Sequence, residues 1–97
     1  MLDLRPEYRE LVMRILAEQI PGIEVRAFGS RVTQTAKEYS DLDLVVVAKE
    51  RLPQEVYFRL QDAFEESDLP MRVDVLDWQR LTPEFRAQIE RHYEILQ

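Results

Sequence analysis

The sequence predicts an α/β (α+β) domain: a small mixed β-sheet with helices packed on it. Three observations lead there. Three stretches begin at or next to a proline (Pro6, Pro53, Pro83) and carry apolar residues at helical spacing. Three shorter stretches between them read as strands, one of which, Leu42–Ala48, is almost unbroken apolar sequence. The two kinds of segment alternate without an internal repeat or a linker, the pattern of a layered α/β structure. At 97 residues the chain, 1–97, is expected to be a single domain. A chain this short has one core and no second lobe with which to enclose a substrate.

Arg5 to Gln19 reads as the first helix. Tyr8, Leu11, Val12, Ile15 and Leu16 form one apolar stripe, and Pro21-Gly22 ends it. Ile23, Val25 and Ala27 alternate with Glu24, Arg26 and Phe28 in a short strand that runs directly into Gly29-Ser30. Arg31 to Ser40 is polar and predicts a short helical turn followed by a loop. The valine-rich run LDLVVVA predicts a strand over 42–48 buried on both faces. Pro53 opens a helix with Val56, Leu60, Ala63 and Phe64 on one face, and Ser67 to Pro70 turns the chain. Met71 to Leu76 is a third strand, with Met71, Val73 and Val75 on one side. Thr82 is a good N-cap before Pro83, so a last helix is expected from Pro83 to about Leu96, burying Phe85, Ile89, His92 or Tyr93, and Leu96. Element order alone does not fix strand direction.

Composition narrows the function classes. With no cysteine, disulfides and Cys-based zinc sites are excluded. No apolar stretch approaches the roughly 20 residues that cross a bilayer, and the opening MLDLRPEYRE has no signal-peptide core. The expectation is cytoplasmic residence without a membrane partner. Net charge is −6, with basic residues scattered among acids, which argues against binding duplex nucleic acid. Such a surface suits cations held by carboxylates, or a basic protein partner.

The informative stretch is Gly29-Ser30, ten residues, then Asp41-Leu42-Asp43. Residues i and i+2 of a strand share a face, so Asp41 and Asp43 project together while Leu42 and Leu44 point into the core. Two carboxylates there repel unless a cation lies between them. Their oxygens are hard ligands, which favours Mg²⁺, with Mn²⁺ as the variant. Asp74 interrupts the apolar run RVDVL with a lone carboxylate on the face opposite Val73 and Val75. If its strand neighbours that of Asp41 and Asp43, three acids converge and two ions could clamp an in-line displacement at phosphorus. Asp41 and Asp43 would hold the metals, and Asp74 would bind the catalytic one while orienting or deprotonating the attacking hydroxyl. Gly29-Ser30 sits where a strand gives way to a helical turn, so its N–H groups can meet anionic oxygens, and glycine lets a triphosphate come close. Arg31 could add charge there; a solvated or structurally paired arginine is the equal alternative. Taken singly, Gly-Ser is a turn, Asp-Leu-Asp a solvated cap and Asp74 an edge-strand charge. Together, at this spacing, they read as one site.

FGSRVTQTAKEYSDLDLVVVA followed by RVDVLDW resembles the DNA-polymerase-β-like nucleotidyltransferase superfamily, whose hallmark is GS, a spacer, D-x-D and a later acidic strand. More narrowly it resembles the minimal nucleotidyltransferases (MNT) of bacteria and archaea encoded beside HEPN-domain proteins. The motif maps onto Gly29, Ser30, Asp41, Asp43 and Asp74 without gaps. The resemblance implies the polymerase-β-like fold, two Mg²⁺ ions and ATP as donor. It implies transfer of AMP to a hydroxyl of a partner protein, a tyrosine of a cognate HEPN toxin, which makes the chain the antitoxin of a hetero-oligomeric pair. Members usually carry a basic residue and a glycine after GSR, where this chain has Thr33 and Gln34, a departure that bears on phosphate contacts and loop flexibility. Two alternatives stand beside this reading. Transfer to a small molecule, as in aminoglycoside nucleotidyltransferases, needs an acceptor domain this chain lacks. A non-catalytic toxin-binding module has no need of mutually repelling carboxylates. Arg86, five residues, then His92 fits the R-x4–6-H motif of HEPN ribonucleases, but the chain lacks their all-helical pattern. His92 is read as a helix residue, Trp78 as a packing residue rather than a base platform, and Glu65-Glu66-Ser67-Asp68 as a solvated helix end.

Overall fold

The computed structural model describes residues 2–97. Its elements run α1 (Pro6–Gln19), β1 (Glu24–Phe28), α2 (Ser30–Thr33), β2 (Leu42–Val47), α3 (Gln54–Glu65), β3 (Val73–Asp77), a 3₁₀ turn (Trp78–Arg80), α4 (Pro83–Arg91) and β4 (Glu94–Ile95). The strands form one mixed sheet in the order β3-β2-β1-β4. β1 is antiparallel to both β2 and β4, whereas β2 and β3 are parallel, with α3 in the connection between them.

Alternation along the strands divides the sheet into two faces. Val25, Ala27, Leu42, Leu44, Val46, Val73 and Val75 are buried on one of them, in one core cluster with Val12, Ile15 and Leu16 of α1 and Leu60 and Phe64 of α3. The other face carries Arg26, Phe28, Asp43, Val45, Asp74 and Leu76. Val45 is also fully buried, so β2 is covered on both sides, as its valine content predicts. The cover on that second face comes from the 3₁₀ turn and α4. Phe85 meets Phe28 edge-to-face at 6.1 Å, and Arg86 Nε donates to the Trp78 carbonyl at 3.0 Å. Thr82 caps α4, its hydroxyl accepting from Phe85 N–H at 3.2 Å.

The last helix is shorter than the sequence predicts. His92, at φ −147°, ends α4 instead of continuing it. The next residues form β4, pairing Glu94 with Ala27 and Ile95 with Arg26. Of the residues expected to be buried there, Ile89 and Leu96 are, while Phe85, His92 and Tyr93 are exposed. The pairing with β1 and the Gln97 amide, which donates to the Ile20 and Ile23 carbonyls at 2.8 and 3.0 Å, overrides the helical periodicity.

β3 is an edge strand, yet its outer backbone is not bare. The Gln61 side chain accepts from Val75 N–H at 3.2 Å and donates to the Val73 carbonyl at 3.4 Å, and the Tyr57 hydroxyl donates to the Val75 carbonyl at 3.0 Å.

Candidate active site

The register of the sheet assembles the acids. Phe28 lies opposite Asp43 across the β1–β2 ladder, and Asp43 lies opposite Asp74 across β2–β3. Facing residues of a ladder share a side of the sheet, and adjacent strands lie about 4.8 Å apart. Phe28, Asp43 and Asp74 therefore form a row on the face away from the main core. Asp41 stands two residues ahead of Asp43, just before β2, and is exposed.

These acids share an electrostatic field. The Asp43 carboxyl is raised above its ordinary value, first by burial, then by the charge of Asp74, then by that of Asp41. Among the described residues, no three His, Cys, Asp or Glu side chains are gathered closely enough to hold a metal ion as they stand. The acids line an open patch and do not close into a cage.

Gly29 is the second element of the site. Its φ of 80° and ψ of −156° belong to a region left almost wholly to glycine. A Cβ built there would overlap Asp43 Oδ2. The sequence suggests glycine as a way to admit a triphosphate; in the fold, it is the Asp43 carboxylate that takes up the space. Ser30 begins α2 directly beyond; the Val32 and Thr33 N–H groups of its first turn are taken by the Gly29 carbonyl at 3.0 and 3.1 Å, whereas the first two N–H groups of a helix have no partner inside it. α2 ends at Gln34, which adopts the left-handed conformation at φ 64°. The family pattern has glycine at this position, and the backbone explains why.

Arg31 does not serve the loop as a phosphate contact. Its side chain is buried and turned into the structure, donating to the carbonyls of Asp3 at 2.9 Å, Glu38 at 3.2 Å and Ser40 at 3.0 and 2.8 Å. The guanidinium pins the 34–41 loop against the N-terminal segment, the structurally paired alternative. Trp78 is likewise a packing residue, with the Arg26 and Arg86 guanidinium carbons 5.1 and 5.2 Å from its ring centroid. Asp77, a further acid on β3, faces the opposite side from Asp74. It is buried, accepting from Leu52 N–H at 2.9 Å and Gln79 N–H at 3.0 Å, and closes a turn.

Sequence reasoning missed the wall that α4 and Phe28 raise beside Gly29. A cavity of about 270 Å³ lies there. The only available signal was the aromatic at position 28, whose parity places it on the face of Asp43.

The polymerase beta nucleotidyltransferase family model matches residues 11–97. The chain belongs to this family. A relative in Haemophilus influenzae (strain Rd KW20), named for protein adenylyltransferase activity and called MntA, is 46% identical over 96 residues, covering 99% of this chain and 84% of its own. A solved minimal nucleotidyltransferase is 36% identical, with a TM-score of 0.70 over 91% of this chain and 88% of its own. The complex of a tri-AMPylated Shewanella oneidensis HEPN toxin with its MNT antitoxin contains a chain 21% identical to this nucleotidyltransferase, with a TM-score of 0.70, covering 97% of this chain and 72% of that one. That last likeness is one of fold. No helix among the described residues is long and apolar enough to cross a membrane.

Proposed function

We propose that this nucleotidyltransferase moves AMP from ATP to a hydroxyl, a tyrosine, of a HEPN-type partner protein and so acts as the antitoxin of a two-protein pair. The observation that carries the reading is the row formed by Asp43 and Asp74 with Gly29 packed against the Asp43 carboxylate. The 46% identity to a relative named as a protein adenylyltransferase supplies the acceptor class.

The residues divide the work. Gly29 and Ser30 offer backbone N–H groups, and Ser30 a hydroxyl, to the triphosphate. Asp41, Asp43 and Asp74 would hold divalent cations, Mg²⁺ or Mn²⁺; the fit rests on hard carboxylate oxygens and on the crowding of negative charge, which adds to burial in raising Asp43. Bound there, such ions withdraw charge from the phosphoryl oxygens and favour ionisation of the acceptor hydroxyl. Asp74, at the outer end of the row, orients that hydroxyl and takes its proton. A groove of about 620 Å³ runs from Asp74 along the outer flank of β3 past the exposed Phe58, an approach for a protein acceptor. Such an open approach suits an acceptor delivered by a folded partner, which excludes water when it docks.

The test is intact-mass spectrometry of the co-purified partner after incubation with ATP and Mg²⁺. The partner gains AMP with the native chain and stays unmodified with Asp43→Asn or Asp74→Asn protein of normal melting behaviour. An unmodified partner with the native chain overturns the reading.

A further inference from the structure

We propose, on the reading above in which a partner protein supplies the acceptor hydroxyl, that the two grooves flanking Phe58 are where that partner docks. The segment seated there is apolar at one end and basic at the other, and its basic end lies next to the hydroxyl.

Phe58 projects from the middle of α3 and is 53% exposed, the most of the four phenylalanines. Among the described residues its ring meets one other, that of Tyr57, edge-to-face at 5.7 Å. Phe58 and Tyr57 line both grooves, so the exposed ring stands as a ridge between two concavities. An aromatic ring left in water beside pockets is the form an interface anchor takes.

The grooves differ in character, and the difference selects the occupant. One, of about 350 Å³, is lined by Leu52, Leu76 and Leu81, and its two charged residues, Asp77 and Arg80, pair with each other at 3.8 Å. The other carries Asp62, Glu65 and Asp74 against Arg72, its single cation among the described residues. Asp62 and Glu65 follow Phe58 by about one and two helical turns, so all three share a stripe of α3, and both acids are exposed. Neither acid is held in an ion pair among the described residues. A basic side chain docked there meets opposite charge without displacing an existing partner. A second copy of this chain, with a net charge of −6, would instead bring acid against acid.

The hydrogen bonds from α3 orient the surface. Gln61 reaches the Val73 and Val75 backbone, and Tyr57, one turn earlier, reaches only the Val75 carbonyl. The later turns of α3 therefore lie toward Asp74. The acidic groove opens onto Asp74, and the apolar groove lies at the far end of β3. These bonds also tie α3 to the sheet edge, so the surface is formed before any partner arrives.

The experiment measures calorimetric affinity of the whole chain for its HEPN-type partner without nucleotide, and KM and kcat for AMP transfer to that partner. Phe58→Ala is expected to weaken binding and raise the partner's KM by about 30-fold, the effect of truncating an anchor, with kcat and the KM for ATP unchanged. Asp62→Lys with Glu65→Lys places lysines near the C-terminal end of α3, where they suit the helix. This pair is expected to weaken binding by about tenfold or more at low salt, and by less at high salt. Glu10→Lys with Glu18→Lys on α1 makes the same change in net charge outside both grooves and is expected to leave binding and transfer native. Native affinity in either groove variant, or an equal loss in the α1 variant, overturns the proposal. So does a dimer of the chain alone that Phe58→Ala dissociates, since the surface then belongs to a second copy. A partner that binds through these residues and gains no AMP supports the docking surface and overturns the transfer reading instead.

Discussion

Replacing Gly29 by alanine separates the two demands the fold places on this position. The first is conformational. At φ 80° and ψ −156° a residue with a Cβ is held in a region that costs on the order of 1–3 kcal/mol. The second is steric, because the new methyl overlaps Asp43 Oδ2 and the carboxylate has to swing away. Gly22 provides the control. It has φ +76° with nothing within 4 Å of the methyl that alanine would add, so its variant carries the backbone cost alone, roughly 1–2 kcal/mol. A domain of this size loses about 4–8 °C of melting temperature per kcal/mol, so Gly22→Ala should fall by roughly 4–16 °C and Gly29→Ala by at least as much. Activity should part the two further. A displacement of about 1 Å in a reacting group costs on the order of 100-fold in rate, so AMP transfer should collapse in Gly29→Ala and persist in Gly22→Ala, assayed well below both melting points. Repeating Gly29→Ala in an Asp43→Ala background closes a double-mutant cycle, and its stability cost should shrink to the backbone part. Transfer by Gly29→Ala within a few-fold of the native rate, or an equal stability cost in both backgrounds, would refute the argument.

Asp43→Asn should raise the melting temperature of the metal-free protein at neutral pH. The native Asp43 carboxyl is raised above 3.8, so its contribution is fully present below the unfolded value and lost as pH climbs through the native one. The gain from asparagine should close as pH falls below the unfolded value, and a gap constant with pH would refute it. Arg31→Met leaves the Asp3, Glu38 and Ser40 carbonyls without their donor, a loss on the order of 3 kcal/mol in thermal or denaturant melts, with ATP affinity retained in the folded fraction. Weakened ATP binding at native stability would make Arg31 a phosphate ligand after all. Thr82→Ala should cost about 1 kcal/mol in the same melts through the lost cap on Phe85 N–H.

What the sequence revealed was whatever local pattern can encode. The stripe in α1, the valine run of β2 and the cap at Thr82 are short-range signals, and each element appears where those signals place it. Strand parity was enough to put Asp43 and Asp74 on the face away from the main core. Their register, and the parallel pairing behind it, had to come from the structure. β4 was hidden because two residues carry no periodicity, and Ile89, Tyr93 and Leu96 continue a helical spacing; only the pairing of Glu94 and Ile95 with β1 makes them a strand. Arg31 was ambiguous for a similar reason. Beside Gly29-Ser30 it reads as a phosphate ligand, but its partners at 3, 38 and 40 are backbone carbonyls, and composition says nothing about where carbonyls point.

The covered edge of β3 decides how a neighbour can approach that flank. A bare strand edge accepts any extended chain, because main-chain pairing is indifferent to sequence. Gln61 and Tyr57 already hold the Val73 and Val75 groups that such a chain would need. An incoming strand would have to displace three hydrogen bonds to begin pairing, so neither sheet-to-sheet polymerisation nor indiscriminate strand capture is favoured beside Asp74. Whatever docks there has to be recognised by side chains, through the grooves on either side of Phe58. Side-chain recognition can be adjusted one residue at a time, which lets a chain and its dedicated partner diverge together from every other such pair.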